Sequence, residues 1–362
     1  MVNKETTGLF REMIFHPGET LKEVLEEKNM NQNELALRTG VSSKHISTVL
    51  NGEKSISVTF AKKLEYALGI EAAFWINLQT NYDKELLEFN ELHSITKEEN
   101  QIYKTLKPVV EWFIEKKYIV SQSMESRILD LRKLMGVSDL SAMRSLAYNG
   151  AYRAQTSVSI DSDTLFAWQR ICELMSDTIE ITDQSEKSQK EKLQELLPKI
   201  KACMFLPQEE FIQKLQSLFA QCGIAFSLVP SFKGAPVQGF IKKTEQGRTV
   251  ICMTFRQKRA DIFWFTLFHE IAHFLNGDGK QKFIDFESVP GASEAKADSF
   301  ARNQLINDKE YAAFTSKNDF SLQEINKFAK QQKVLPCIVI GRLQKDTLIK
   351  WNEDSEEIVR YV

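Results

Sequence analysis

Apolar residues recur three or four positions apart through the first quarter of the chain, from residue 17 to about residue 79. This spacing is typical of short amphipathic helices. Their apolar faces comprise Leu21, Val24, Leu25, Leu35, Ala36, Ile46, Val49, Leu50, Phe60, Leu64 and Leu68. The pattern predicts a compact helical module. The chain then stays helical and charged to about residue 219, where the polar run 183–195 indicates a solvated helix face or a mobile segment.

The pattern changes after Cys222, where short runs rich in β-branched and aromatic residues are separated by glycine and proline. These runs predict a small sheet with strands at 224–229, 237–241 and 249–255.

The helical spacing of apolar residues returns after the predicted sheet in the sequence. One helix is predicted over 261–275, ended by Asn276 and Gly277. Another is predicted over 293–305, preceded by Pro290 and Gly291 and capped by Ser293. Residues 325–329 indicate a further helix, and 337–343 fit a strand or a buried helix equally well.

Composition and charge narrow the class of protein. With 362 residues, 43% of them hydrophobic and 27% charged, the chain is typical of a soluble globular protein and has room for two or three domains. A formal net charge of -2 gives no basic field over the whole molecule, so nucleic-acid binding would need a local patch.

The compartment can also be predicted. Residues 1–15 carry charges and no apolar core, so no secretory signal is expected, and the apolar stretches are too short to span a membrane. The cysteines are odd in number and widely scattered, and none forms a Cys-x-x-Cys pair: Cys172, Cys203, Cys222, Cys252 and Cys337. We interpret them as reduced thiols of a cytoplasmic protein.

A helix-turn-helix is predicted at 31–50, with Asn31 and Ser42 as helix caps and Gly40 in the turn. In this motif the second helix enters the major groove of DNA, and its first residues face the base edges. Gln32 is expected to contact backbone phosphate. The candidate base-reading residues are Ser43, Lys44, His45, Ser47 and Thr48.

The local charge supports DNA binding. Residues 38–63 contain one acidic residue, Glu53, and five cationic residues, namely Arg38, Lys44, Lys54, Lys62 and Lys63. Because one such module binds DNA weakly, a homodimer on operator DNA is expected. The competing interpretation is a small helical module that binds another protein.

The candidate chemistry of the second half is His269-Glu270-Ile271-Ala272-His273, since histidines four apart on a helix can hold one metal ion. The other histidines all lie before residue 94, so a carboxylate must complete a zinc site. We predict Glu294 as third ligand and Asp298, one turn on, as hydrogen-bond acceptor for a ligating imidazole.

Zinc held by His269, His273 and Glu294 would activate water at neutral pH, with Glu270 as the catalytic base that passes the proton to the leaving amine. This chemistry is amide hydrolysis. Two alternatives stay open: a pair of histidines that binds no metal, and a metal site without turnover. The sequence does not decide between zinc and manganese.

Two resemblances extend these interpretations. The segments His16-Pro17-Gly18-Glu19-Thr20-Leu21, Asn51-Gly52, Phe74-Trp75-Ile76-Asn77-Leu78-Gln79 and Tyr82-Asp83 resemble the HigA-type antitoxins of the Cro and phage-repressor helix-turn-helix family. The resemblance implies binding to the protein's own promoter and leaves a toxin partner open.

The second half resembles the ImmA/IrrE metallopeptidases in Phe263-Trp264-Phe265-Thr266-Leu267-Phe268-His269-Glu270, in residues 294–301 and in Ile340-Gly341-Arg342-Leu343-Gln344. That family implies a cytoplasmic zinc peptidase that cleaves a repressor-like protein. Its members often carry a further histidine where this chain has Gly277 and Asp278.

We therefore predict a mostly helical α+β protein. Its parts are a helix-turn-helix domain (1–90), a helical middle region (91–219) and a zincin-like domain with a small sheet (220–362). The first functional hypothesis is a DNA-binding regulator whose peptidase cleaves another protein. The second is a non-catalytic antitoxin or repressor, and the third is a switch that cuts its own chain near 183–195.

Overall fold

A computed structural model describes residues 11–148, 160–182, 185–244, 247–277 and 292–362 of the chain. It divides into two units. The first runs to Lys97 and includes Ser121–Leu129, and the second comprises Glu98–Val120 and Asp130–Val362. The division into three domains with bounds 1–90, 91–219 and 220–362 stays a prediction.

The first unit is helical, as the apolar spacing predicted. Its helices are α1 (Pro17–Glu27), α2 (Gln32–Thr39), α3 (Ser43–Leu50), α4 (Val58–Leu68) and α5 (Ala72–His93). Side chains cap the free amide groups at the helix N-termini. Asn31 Oδ1 accepts a hydrogen bond from the Glu34 amide at 2.9 Å, and Ser42 Oγ accepts one from the His45 amide at 3.3 Å. Gly40, at φ 63°, ends α2. Both predicted caps and the predicted turn are confirmed.

Amphipathic faces of these helices meet in one apolar core, which includes the fully buried Leu35, Ile46 and Trp75. A buried glutamine joins α5 to the segment before α4, since the Ile56 amide donates to Gln79 Oε1 at 2.8 Å. Gln79 Nε2 in turn donates to Asp83 Oδ1 at 2.8 Å. The first contact holds α5 against the segment before α4, and the second, within α5, fixes the orientation of the Gln79 amide.

The remaining described residues are mostly helical up to the sheet and again after it. The helices before the sheet are α6 (Lys97–Thr105), α7 (Lys107–Glu115), α8 (Met124–Met135), α9 (Ala142–Tyr148), α10 (Ser162–Asp177), α11 (Glu186–Ala202) and α12 (Gln208–Gln221). The helices after it are α13 (Ala260–Asn276), α14 (Ala292–Leu305), α15 (Asp308–Thr315), α16 (Leu322–Gln332) and α17 (Pro336–Lys345).

The polar run near residue 190 is the start of α11, so the predicted solvated helix face is confirmed from Glu186 onward. Its polar residues alternate with an apolar face that includes the buried Leu193 and Ile200. Asp183 lies outside the described residues. No described helix is long and apolar enough to cross a membrane.

A small mixed sheet follows α12, and its prediction is confirmed. The strands are β1 (Ile224–Leu228), β2 (Gly239–Lys243) and β3 (Thr249–Met253), in the order β1-β3-β2. β1 pairs with β3 in parallel, with Ile224 opposite Thr249, and β2 pairs with β3 antiparallel, with Gly239 opposite Met253. The central strand β3 is buried along its whole length.

The helices after the sheet agree with the predicted spacing, with one correction. Residues 337–343 are resolved as part of a helix, α17. The predicted cap is wrong, because α14 begins at Ala292 and Ser293 lies inside its first turn. Alanine has the highest helix propensity, which favours this earlier start. Pro290 and Gly291 lie outside the described residues.

Helix α17 packs against the start of α13 at a glycine. A Cβ atom on Gly341 would lie 2.3 Å from Asp261 Oδ2, so only a residue without a side chain fits there. Arg259 donates to both Asp261 oxygens, at 3.0 and 2.9 Å, and also to Gln344 Oε1 at 2.8 Å. The Ile340–Gln344 motif therefore has a structural role at this junction.

Gly341→Ala should lower the free energy of unfolding by about 2 kcal/mol, because the added methyl group overpacks a close contact. The sign is diagnostic, since glycine to alanine inside a helix normally stabilises by up to about 1 kcal/mol. Urea denaturation measures the effect. In an Asp261→Gly background, which removes both the carboxylate oxygen at 2.3 Å and the Cβ atom at 2.8 Å from the added methyl group, Gly341→Ala should cost far less. An equal cost in both backgrounds would contradict the packing argument.

Candidate functional site

The His-Glu-x-x-His segment lies on α13, which is buried along most of its length. Phe268, Ile271 and Ala272 are buried on both sides of the two histidines, so the helix presents a polar face at His269 and His273 within an apolar surrounding. α13 contacts β2 and β3 on one hand and α14 and α17 on the other. The site residues are therefore positioned by a rigid, packed helix.

Helix α14 brings a carboxylate to both imidazoles. Glu294 Oε2 lies 3.1 Å from His269 Nε2, and Glu294 Oε1 lies 3.4 Å from His273 Nε2. The two Nε2 atoms are 3.0 Å apart. Among the described residues, His269, His273 and Glu294 form a group whose ligand atoms all lie within 4.8 Å of one another.

These distances between the ligand atoms are compatible with one metal ion shared by all three residues. Ligands at roughly 2.0–2.1 Å from a tetrahedral zinc ion lie about 3.3 Å from one another. The three observed separations of 3.0, 3.1 and 3.4 Å are close to that value. The donor set of two imidazoles and one carboxylate is also one that zinc accepts.

Asp298 lies where the sequence placed it, one turn after Glu294. His269 Nδ1 lies 2.9 Å from Asp298 Oδ1. If the Nδ1 proton is donated to this carboxylate, Nε2 of a neutral His269 offers its lone pair towards Glu294 and His273. The aspartate therefore selects the tautomer that metal binding requires.

The titratable side chains of the site shift one another's pKa values. Burial alone would lower the pKa of His269, but its hydrogen bond to Glu294 and the charge of Glu270 outweigh that effect and raise the pKa. Hydrogen bonds from His269 and His273 hold the pKa of Glu294 well below its ordinary value. A positive charge between the carboxylates is thus favoured.

Glu270, which lies between the two histidines in sequence, is buried. Within the described part of the chain, its Oε2 atom is buried without a hydrogen-bond partner. Burial raises the pKa of Glu270, although the neighbouring His269 and His273 act in the opposite direction. A buried carboxylate oxygen without a partner is uncommon, and water molecules and bound ligands are among the groups that satisfy such an atom.

Sequence reasoning missed the contact of β2 with this site. A Cβ atom on Gly239 would lie 2.6 Å from Thr266 Cγ2 and 2.9 Å from Glu270 Cγ, so the strand backbone lies directly against α13. A glycine inside a predicted strand was the available signal.

The predicted DNA-binding residues lie on α2 and α3 of the first unit. Lys44 is exposed, and Ser43, His45, Ser47 and Thr48 are partly buried. Gln32 Nε2 donates to the Ser43 carbonyl at 2.6 Å, which ties the two helices together. The His45 ring packs edge to face on Phe60 at 5.5 Å. Their roles towards DNA stay predictions.

The cationic patch is smaller than the sequence count indicated. Arg38 pairs with Glu34 at 2.6 Å, and Lys62 pairs with Glu65, so two of its five cations are compensated by acidic residues just outside the counted range. Lys44, Lys54 and Lys63 have no ion pair in the described part of the chain. Positive charge is therefore concentrated at and beyond the start of α3.

Comparisons with known proteins concern the N-terminal part. Residues 21–75 match the helix-turn-helix family model HTH_3. Virulence-associated protein I of Dichelobacter nodosus is 32% identical over 74 residues, which are 20% of this chain and 68% of that protein. The matched model does not extend to the second half, so the resemblance to the ImmA/IrrE metallopeptidases stays a prediction.

Two solved structures are also similar. An antidote protein of a plasmid maintenance system from Nostoc punctiforme is 32% identical, with a TM-score of 0.20, and the match covers 23% of this chain and 97% of that one. An addiction module antidote protein of the HigA family from Coxiella burnetii is 26% identical, with a TM-score of 0.19, and the match covers 30% of this chain and 97% of that one. Scores this low carry no argument about the fold of the whole chain.

Proposed function

This chain belongs to the helix-turn-helix family, and on that premise we propose a DNA-binding transcriptional regulator, antitoxin-like in its first unit, with a zinc-dependent endopeptidase in its second half. The observation that carries the second part is the convergence of His269, His273 and Glu294 around one point. Its substrate would be another protein, such as a regulator. A homodimer on operator DNA is part of the proposal.

The chain's own residues have distinct roles in this proposal. His269, His273 and Glu294 would hold zinc, and Asp298 would orient the His269 ring. When bound, zinc supplies a Lewis acid that activates water and polarises a peptide carbonyl. Glu270 would take a proton from the attacking water on its carboxylate and deliver it to the leaving nitrogen. Its unpartnered Oε2 atom is available for that proton.

Cleavage of the chain by itself near residues 183–195 is less well supported than cleavage of another protein. A peptidase acts on extended backbone, but this run lies mostly in α11, where Gln189 and Leu193 are buried. The helix would have to unfold first. The remaining alternative is a non-catalytic antitoxin or repressor, whose second half binds a metal or a partner protein such as a toxin.

For the DNA-binding part, Lys44→Ala should weaken binding about tenfold and reduce the salt dependence, because an uncompensated cation at the start of α3 is lost. Fluorescence anisotropy measures this with a duplex that the wild-type protein selects from a random library. Lys84→Ala is the matched control, since Lys84 is an exposed lysine on α5. Equal weakening by both variants would contradict the assignment of α3 as the DNA-contacting helix.

For the metal site, the purified protein should hold about one zinc ion per chain, as measured by elemental analysis with inductively coupled plasma mass spectrometry. His269→Ala and Glu294→Ala should lose most of it, because each removes one of three ligands. Glu270→Gln and His93→Ala should retain it. A wild-type protein that cannot be loaded with zinc rules out the metal centre.

For hydrolysis, cells producing the wild-type protein should show new protein N-termini that are absent with Glu270→Gln at equal abundance and equal zinc content. Mass spectrometry of N-terminal peptides detects them. The same new termini with both proteins would show that Glu270 is not the base. Absence of new termini, together with a small protein that co-purifies, would favour the non-catalytic alternative.

A further inference from the structure

A separate cleft lies in the second unit, and none of the candidate metal ligands lines it. Its volume is about 780 Å³, within the range of small-molecule sites in proteins. The walls come from the end of α11, the end of α14, the last turns of α16 and the start of α17. The apolar lining includes Leu197, Ala202, Phe205, Ala329, Val334 and Pro336.

The charge of the cleft has one sign. Its charged lining residues are Lys201, Lys330 and Lys333, here called the cleft lysines, and no acidic residue lines it. Within the part of the chain that the structure describes, none of the cleft lysines forms an ion pair with a carboxylate. The cleft therefore combines an apolar wall with uncompensated positive charge.

Lys201 is held in place and keeps a donor available. Its Nζ atom donates to the carbonyls of Gln304 at 2.9 Å and Leu305 at 2.8 Å, which uses two of the three donors of an ammonium group. Burial, and then the charge of Lys333, lowers the pKa of Lys201 to about 8. A nearby anion would counteract this shift, because an opposite charge stabilises the ammonium form.

We infer that this cleft binds a small amphiphilic anion, whose carboxylate or phosphate lies against the cleft lysines and whose apolar body lies against Leu197, Phe205 and Val334. The volume suits one small molecule rather than a folded domain. Charge complementarity selects an anion over a neutral or cationic amphiphile. The inference goes beyond the proposed function, since it requires neither metal nor DNA.

The test is calorimetric titration of the full-length chain with decanoate, with decyl phosphate and with decyltrimethylammonium, which has the same apolar body and the opposite charge. Binding of one or both anions without binding of the cation is expected, and their relative affinities identify the preferred headgroup. Equal binding of cation and anion, or no binding of either anion, would overturn the proposal.

Variants locate the site. The double variant Lys330→Gln/Lys333→Gln should weaken binding of the tighter anion at least about tenfold, because two charge-assisted contacts are lost. Lys327→Gln is the matched control on α16, outside the cleft, and should change affinity less than about twofold. Both double-variant lysines are exposed, so folding should persist. Equal weakening by the control would overturn the assignment.

A second variant keeps the charges and fills the space. Ala202→Trp places a large ring in the cleft from an exposed position on α11 and should abolish anion binding with an unchanged melting temperature. Retained binding in Ala202→Trp would place the anion elsewhere and overturn the proposal.

Discussion

The close packing of α14 on α13 is the constraint on which the candidate metal centre depends. Each helix contributes a pair of polar residues four positions apart: His269 and His273 from α13, Glu294 and Asp298 from α14. Two buried alanines on α14, Ala297 and Ala301, let the helices approach closely enough for these pairs to meet. Larger side chains there would separate the pairs, so the helix contact and the site geometry are one feature.

Much of this arrangement could be predicted from the chain itself. Helical spacing and capping residues located α2 and α3, and the four-residue spacing of the histidines placed them on one helix face. Packing between distant segments was harder to predict. The contact of Gly239 with Glu270 depends on β2 crossing α13, and periodicity carries no information on such a crossing. Residues 337–343 were ambiguous, because an apolar run fits a buried strand or helix equally.

Charge counting along the chain was also incomplete, since ion pairs reach beyond any chosen window. Glu34 and Glu65 lie just outside the cationic stretch and compensate two of its members. Among the cleft lysines, Lys201 is far in sequence from Lys330 and Lys333, and all three lack acidic partners in the described chain. In both regions, three-dimensional neighbours determine which charges remain available to a ligand.

X-ray absorption at the zinc edge of the zinc-loaded protein tests the central claim most directly, because it reports the ligands of the ion itself. We predict a four-coordinate ion with two imidazole nitrogens and oxygen ligands at about 2.0–2.2 Å. A sulfur ligand at about 2.3 Å, or an all-oxygen shell without imidazole, would contradict the assignment of His269, His273 and Glu294 as the metal site.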